Sequence, residues 1–182
     1  MKVICYGDSN TYGYDPRSYF GSRYEEPWPE LLACKIGWTV VNQGKNGREI
    51  PRSNVTFMED TDLVIVMLGT NDLLQSGTSQ NIGQKMKQFL ISLNLPKERI
   101  LLIAPPPMKY GEWVWEQRLI DESVSVADVY QALAQDLGIC FADAGQWNLP
   151  LSYDGVHFTQ EGHRDFARQL YHFLVMDGRF AV

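Results

Sequence analysis

Four short polar stretches hold the residues best suited to chemistry. They are Gly7-Asp8-Ser9-Asn10-Thr11-Tyr12-Gly13, Asn42-Gln43-Gly44-Lys45-Asn46-Gly47-Arg48, Gly69-Thr70-Asn71-Asp72 and Asp154-Gly155-Val156-His157-Phe158-Thr159. Each alone has an ordinary reading: Gly-Asp-Ser is a frequent turn, Gly-Thr-Asn-Asp can open a helix with an N-cap, and a single histidine is often structural. Together they supply a hydroxyl, a backbone donor, a side-chain amide and an imidazole beside a carboxylate, which are the parts of acyl transfer. A serine hydroxyl becomes a useful nucleophile only when a hydrogen-bonded base takes its proton. Among the three histidines, His157 is the one in a strand-end loop and is the expected base. Asp154, three residues earlier, can orient its imidazole while the other ring nitrogen faces Ser9.

These stretches can meet only if the chain carries their loops to one edge. Strand-like runs are expected at 2–6, 39–42, 63–68, 100–104 and 138–143. Four of them are near-continuous apolar runs, as in a parallel sheet buried on both faces. Helices are expected at 29–36, stopped by Gly37, and at 79–93, where Ile82, Met86, Phe89, Leu90 and Leu93 share one face. Two more are expected at about 115–137, stopped by Gly138, and at 160–175, with a weak one at 52–58. The alternation predicts an α/β fold: a right-handed, five-stranded parallel sheet with helices on both faces. Such sheets bind ligands beyond the carboxyl ends of their strands, where three of the four polar stretches begin.

Composition narrows the partners. The 182 residues suit one domain, 1–182, and 45% hydrophobic with 21% charged residues is ordinary for a globular chain. A formal net charge of −6 argues against nucleic acid or an anionic membrane surface as partner. The longest apolar runs fall far short of the roughly 20 residues that span a bilayer, so no membrane insertion is expected. The chain runs at once into the first strand, without a leader-like series, and a cytoplasmic location is expected. Cys5, Cys34 and Cys140 are expected as buried, reduced thiols. Asp154, His157, Glu161 and His163 could be read as a metal cluster, but histidines six apart match no zinc signature, and no metal is expected. With no phosphate loop and no dinucleotide glycine fingerprint, no cofactor is expected either. Asp8 and Asp72 are expected to accept hydrogen bonds from backbone amides in the turns that hold Ser9 and Asn71. Tyr12, Tyr14, Trp113 and Trp115 either pack or form an aromatic wall for an acyl or aryl group, and an exposed aromatic patch could equally build a homo-oligomer contact.

The four stretches, in this order, resemble the SGNH (GDSL-type) hydrolase family, and the resemblance spans nearly the whole chain. It implies a flavodoxin-like three-layer α/β/α sandwich carrying Ser9 as nucleophile, with Asp154 and His157 matching the family's Asp-x-x-His. It also implies an oxyanion hole built from the backbone N–H of Ser9, a glycine N–H and the Asn71 side-chain amide. Gly47 is chosen over Gly44 because the pattern Asn-x-x-x-x-Gly runs from Asn42 to Gly47. Segments 62–72 and 104–107 are most similar to the arylesterase and acyltransferase branch. Two departures stand out, Asn10 where the family name has leucine and Arg48 where many members have a small or acidic residue, and both bear on specificity. The implied function is a lipolytic serine esterase acting on small carboxylic esters, with acyl transfer as a variant. A carbohydrate acetylesterase is the alternative within the family, with Arg48, Lys109 and Glu112 as candidates to line a polar cleft. A flavodoxin-like binding module, whose first loop would cradle a flavin phosphate, is the alternative of another class.

Overall fold

The computed structural model describes residues 1–18 and 20–176. Five strands form one parallel sheet: β1 Lys2–Gly7, β2 Thr39–Gly44, β3 Leu63–Met67, β4 Ile100–Ala104 and β5 Cys140–Asp143. Their spatial order is β2-β1-β3-β4-β5, with every pair parallel. Among the described residues six α-helices accompany them: α1 Ser9–Tyr12, α2 Trp28–Ile36, α3 Thr70–Leu74, α4 Ser79–Ser92, α5 Gln117–Leu137 and α6 Gln160–Tyr171.

Successive residues of a strand point to opposite faces, so each central strand feeds two cores. Val3 and Cys5 of β1, with Ile65 and Met67 of β3, pack under Trp28 and Leu32 of α2 and Phe166 and Leu170 of α6. Ile4 and Tyr6, with Val64 and Val66, pack under Ile82, Met86 and Phe89 of α4 and Val126 and Tyr130 of α5. That two-sided burial is why these strands read as continuous apolar runs. The helix stops are also local: Gly37 (φ 70°) and Gly138 (φ 67°) take the left-handed conformation that ends α2 and α5.

Three features differ from expectation. Residues 52–58 form no helix. Behind Pro51 they run irregularly, with Val55 and Phe57 turned to the core and Asn54 and Thr56 exposed, and the Phe57 ring meets Tyr6 edge-on at 5.6 Å. The last helix ends at Tyr171 and passes into a wider π-type turn, His172–Met176. Of the three cysteines only Cys5 is buried, while Cys34 is exposed and Cys140 half-buried, because Cys34 lies on the outer side of α2. Among the described residues no helix is long and apolar enough to cross a membrane.

The sheet register sets the level of the site. Gly7 pairs with Gly44 on one side and Met67 on the other, so the chain leaves β1, β2 and β3 at one height. Because β1 lies between β2 and β3, the connections on its two sides diverge there and open a crevice.

Candidate active site

Ser9 opens the short helix α1, whose N-cap is Asp8: the Asp8 carboxylate accepts the Asn10 N–H at 3.0 Å. The helix can sit this close to the sheet because Gly7 and Gly44 lack side chains. A Cβ on Gly7 would fall 2.0 Å from Thr11 Oγ1, and one on Gly44 would fall 2.0 Å from the backbone nitrogen of Tyr12. Asn42 ties the same corner, donating to Thr11 O at 2.9 Å and accepting Gly44 N–H at 2.8 Å.

His157 comes from the loop before α6. Its Nε2 lies 3.0 Å from Ser9 Oγ and its Nδ1 lies 2.6 Å from Asp154 Oδ2. The second Asp154 oxygen accepts the backbone N–H groups of Val156 at 2.9 Å and His157 at 3.0 Å. Burial pushes the Asp154 carboxyl up, but the hydrogen bonds from the His157 side chain and from these amides outweigh it and leave the group below its ordinary value. Asp154 is therefore the ionised partner of the imidazole. Asp8, completely buried, goes the other way: desolvation raises it to about 6, against the opposing Asn10 N–H and the nearby His157 and Arg48.

A cavity of about 270 Å³ opens over this pair, lined by Ser9, His157, Gly47, Asn71, Asn46, Tyr14 and Trp113. Gly47 stands at φ 70° with open space where a Cβ would project, so its backbone faces the cavity unobstructed. Gly44 is instead pressed against α1. Asn71, near the start of α3, donates through Nδ2 to Arg48 O at 3.1 Å, which leaves one amide hydrogen for a ligand. Asp72 does not hold the turn of Asn71. It accepts Ile50 N–H at 3.0 Å and pairs with Lys85 of α4 at 2.7 Å, tethering the far end of the loop that carries Gly47.

Two aromatic rings bracket the imidazole, Tyr14 at 4.7 Å and Trp113 edge-on at 4.9 Å. Trp113 is held there by its loop, which lies directly on the backbone of the His157 loop: Trp113 N–H donates to Asp154 O at 3.1 Å and Lys109 N–H to Gly155 O at 3.0 Å. A Cβ on Gly111 would be 2.4 Å from the Asp154 carbonyl carbon. Tyr12 and Trp115, expected beside Trp113 in the aromatic wall, do not line the cavity. The Tyr12 ring is turned beneath the Arg23 guanidinium at 5.3 Å, and Trp115 is 74% exposed. Arg48 is also directed away from any cleft, donating to the carbonyls of Gly7 (2.9 Å) and Gln43 while stacking over Tyr6 at 4.1 Å. Lys109 and Glu112 are exposed and outside the cavity.

His163, the other histidine near this loop, is fully buried between Tyr24 and Phe158. Its Nδ1 accepts Trp28 N–H at 3.3 Å, and desolvation lowers its pKa to about 3, so it is a neutral structural group. Among the described residues no cluster of three or more His, Cys, Asp or Glu could hold a metal ion. Asn10 is the residue that the sequence reading undervalued. Its signal was a polar side chain at a position where the family name has an apolar one.

A five-stranded parallel α/β fold with serine, histidine and aspartate in hydrogen-bond sequence beyond its strand ends defines a class of hydrolytic proteins. Comparison with known proteins places the chain within it. Residues 5–164 match the model of the GDSL-like Lipase/Acylhydrolase family, and the chain belongs to that family as a carboxylic ester hydrolase. It is similar to the rat isoamyl acetate-hydrolyzing esterase 1 homolog, with 25% identity over 93% of this chain and 72% of that protein. Among solved structures it resembles a carbohydrate acetylesterase family member from Sinorhizobium meliloti, with TM-score 0.80 and 26% identity over 96% and 97% of the two chains. It also resembles the native aryl esterase of M. smegmatis, with TM-score 0.77 and 26% identity over 94% and 97%.

Proposed function

We propose that this chain hydrolyses esters of short carboxylic acids by a two-step acyl transfer through Ser9, with His157 as the base and Asp154 as its orienting partner. The observation that carries the reading is the continuous path from Ser9 Oγ through His157 to Asp154, at 3.0 and 2.6 Å, buried against a cavity whose lining includes Gly47 and Asn71. In the first step Ser9 Oγ attacks the ester carbonyl carbon and its proton passes to His157 Nε2. The carbonyl oxygen becomes an oxyanion, met by the N–H groups of Ser9 and Gly47 and by the free Asn71 amide hydrogen. The N–H of a first helical residue has no partner within its own helix, so that of Ser9 is available. Collapse breaks the C–O bond to the alcohol, which leaves with the His157 proton. Water then gives a proton to His157 and attacks the acyl-Ser9 carbonyl, and the acid leaves as Ser9 regains its proton. An alcohol in place of that water would give acyl transfer.

Asp154 keeps the Nδ1 hydrogen of His157 in place, so Nε2 is the basic nitrogen, and it stabilises the imidazolium formed at each step. Tyr14 and Trp113 provide an apolar wall for a small acyl or aryl group. Two of the similar proteins are named for acetate or acetyl esters, which supports acetate esters as the first substrates to try. The test is hydrolysis of p-nitrophenyl acetate, butyrate and octanoate by wild type and Ser9→Ala. Turnover that falls with chain length and disappears in Ser9→Ala is expected, and a fully active Ser9→Ala variant would overturn the reading.

A further inference from the structure

Asn10 follows the serine on α1 and is 4% exposed. Its side chain spans to the His157 loop: Nδ2 donates to Val156 O at 3.1 Å and Oδ1 accepts Phe158 N–H at 2.8 Å. These partners are the residues on either side of His157. One amide orientation alone satisfies both bonds, since the reverse would set NH₂ against an N–H.

The remaining hydrogen bonds around His157 explain why this matters. Asp154 Oδ1 holds the N–H groups of Val156 and His157, and Ser152 N–H donates to His157 O at 2.7 Å. All of these lie within the loop, so they fix His157 relative to Asp154 without reference to Ser9. The neighbouring loop adds bonds from Lys109 and Trp113 to Gly155 O and Asp154 O, again without reaching α1. Among the described residues, the hydrogen bonds from this loop to α1 itself are those of Asn10 and the Ser9–His157 bond; Tyr153 Oη reaches only the chain beyond α1, at Pro16 O (2.6 Å). The Asn10 backbone N–H is in turn held by Asp8, so the bracket starts from a fixed point.

We infer that Asn10 is a positioning residue: its side-chain amide brackets His157 from both sides and sets the distance between Nε2 and Ser9 Oγ. This inference rests on the esterase reading above for its kinetic consequence. A leucine at this position has nearly the same size and supplies neither bond. A residue acting through the Ser9–His157 distance must affect the rate of acyl transfer more than substrate binding, because misplacement by about 1 Å can cost about 10²-fold in rate.

The experiment compares wild type, Asn10→Leu, Asn10→Asp, His157→Ala and the double variant Asn10→Leu/His157→Ala on p-nitrophenyl acetate. Amide hydrogen exchange is followed on the same proteins. Asn10→Leu is expected to lower kcat by about 10- to 100-fold with KM within about threefold. In the His157→Ala background the same change should alter the residual rate less than about twofold, because the group it positions is gone. Exchange at Phe158 N–H should accelerate at least tenfold in Asn10→Leu, while that at His157 N–H, held by Asp154, stays protected. Asn10→Asp keeps the shape and the acceptor toward Phe158 but sets an oxygen against Val156 O, so it should lower kcat while Phe158 N–H stays better protected than in Asn10→Leu, which preserves the test if the leucine variant does not fold. Unchanged kcat in Asn10→Leu, equal losses with and without His157, or equal acceleration at both amides would each overturn the inference. A wild type that turns over no ester would sink the esterase reading instead, and the two exchange rates would still decide whether the bracket exists.

Discussion

Asn71→Ala removes two things at once, and their sizes can be separated. Losing one donor to the oxyanion costs about 10²–10³ in kcat, or about 2.7–4 kcal/mol. The same side chain also donates to Arg48 O at 3.1 Å, next to Gly47, so the variant frees the loop that presents the second proposed donor. The lost bond is worth about 0.5–1.5 kcal/mol of folding stability. At about 2–4 °C per kcal/mol for a chain of this size, the melting temperature should fall by about 1–6 °C. Because the loosened loop compounds the missing donor, kcat should fall nearer 10³ than 10². KM should stay within about threefold, since the donor acts on charge that develops only in the transition state. Steady-state hydrolysis of p-nitrophenyl acetate, run with a thermal melt, measures both. A kcat within about threefold of wild type, or a loss carried wholly by KM, would refute Asn71 as an oxyanion donor.

Three further substitutions test the surrounding structure. Gly44→Ala would drive a methyl to 2.0 Å from the Tyr12 backbone nitrogen and should destabilise by about 3 kcal/mol or more, whereas Gly47→Ala meets open space and carries only the strain of φ 70°, about 1–2 kcal/mol. Urea unfolding should rank them in that order, and equal losses would contradict the assigned packing. The pKa of His163 falls from an ordinary 6.5 to about 3 on folding, so its contribution is fully present above pH 6.5 and is lost as pH falls towards 3. Between pH 7 and 5 that amounts to about 2 kcal/mol. His163→Gln should flatten the wild-type decline by that amount in denaturant titrations at pH 7 and pH 5, and parallel declines would contradict the buried neutral imidazole.

Much of this arrangement is legible in the sequence. Strands buried on both faces announce themselves as apolar runs such as 63–68, and Gly37 and Gly138 stop their helices by local conformation alone. The polar stretches were legible because a strand end followed by Ser, Asn or His is chemically conspicuous. What stayed hidden depends on contacts between segments far apart in the chain. Whether Tyr14 or Tyr12 faces the imidazole is decided by which ring Arg23 covers, and Trp113 rather than Trp115 by how Gly111 lets its loop settle on Asp154. Arg48 read as a cleft residue because its type is polar, yet two backbone carbonyls at the ends of β1 and β2 claim it. The irregular path of 52–58 brings Phe57 to Tyr6, a contact invisible to periodicity.

Ser9 is the proposed nucleophile, and covalent capture tests that most directly. Wild type and Ser9→Ala are incubated with a fluorophosphonate, followed by intact mass and peptide mapping. The expected result is one phosphonyl group per wild-type chain, mapped to Ser9, with loss of ester hydrolysis in step with labelling and no adduct on Ser9→Ala. An adduct on another residue accompanied by loss of activity, or a Ser9→Ala protein that still labels and turns over ester, would contradict it.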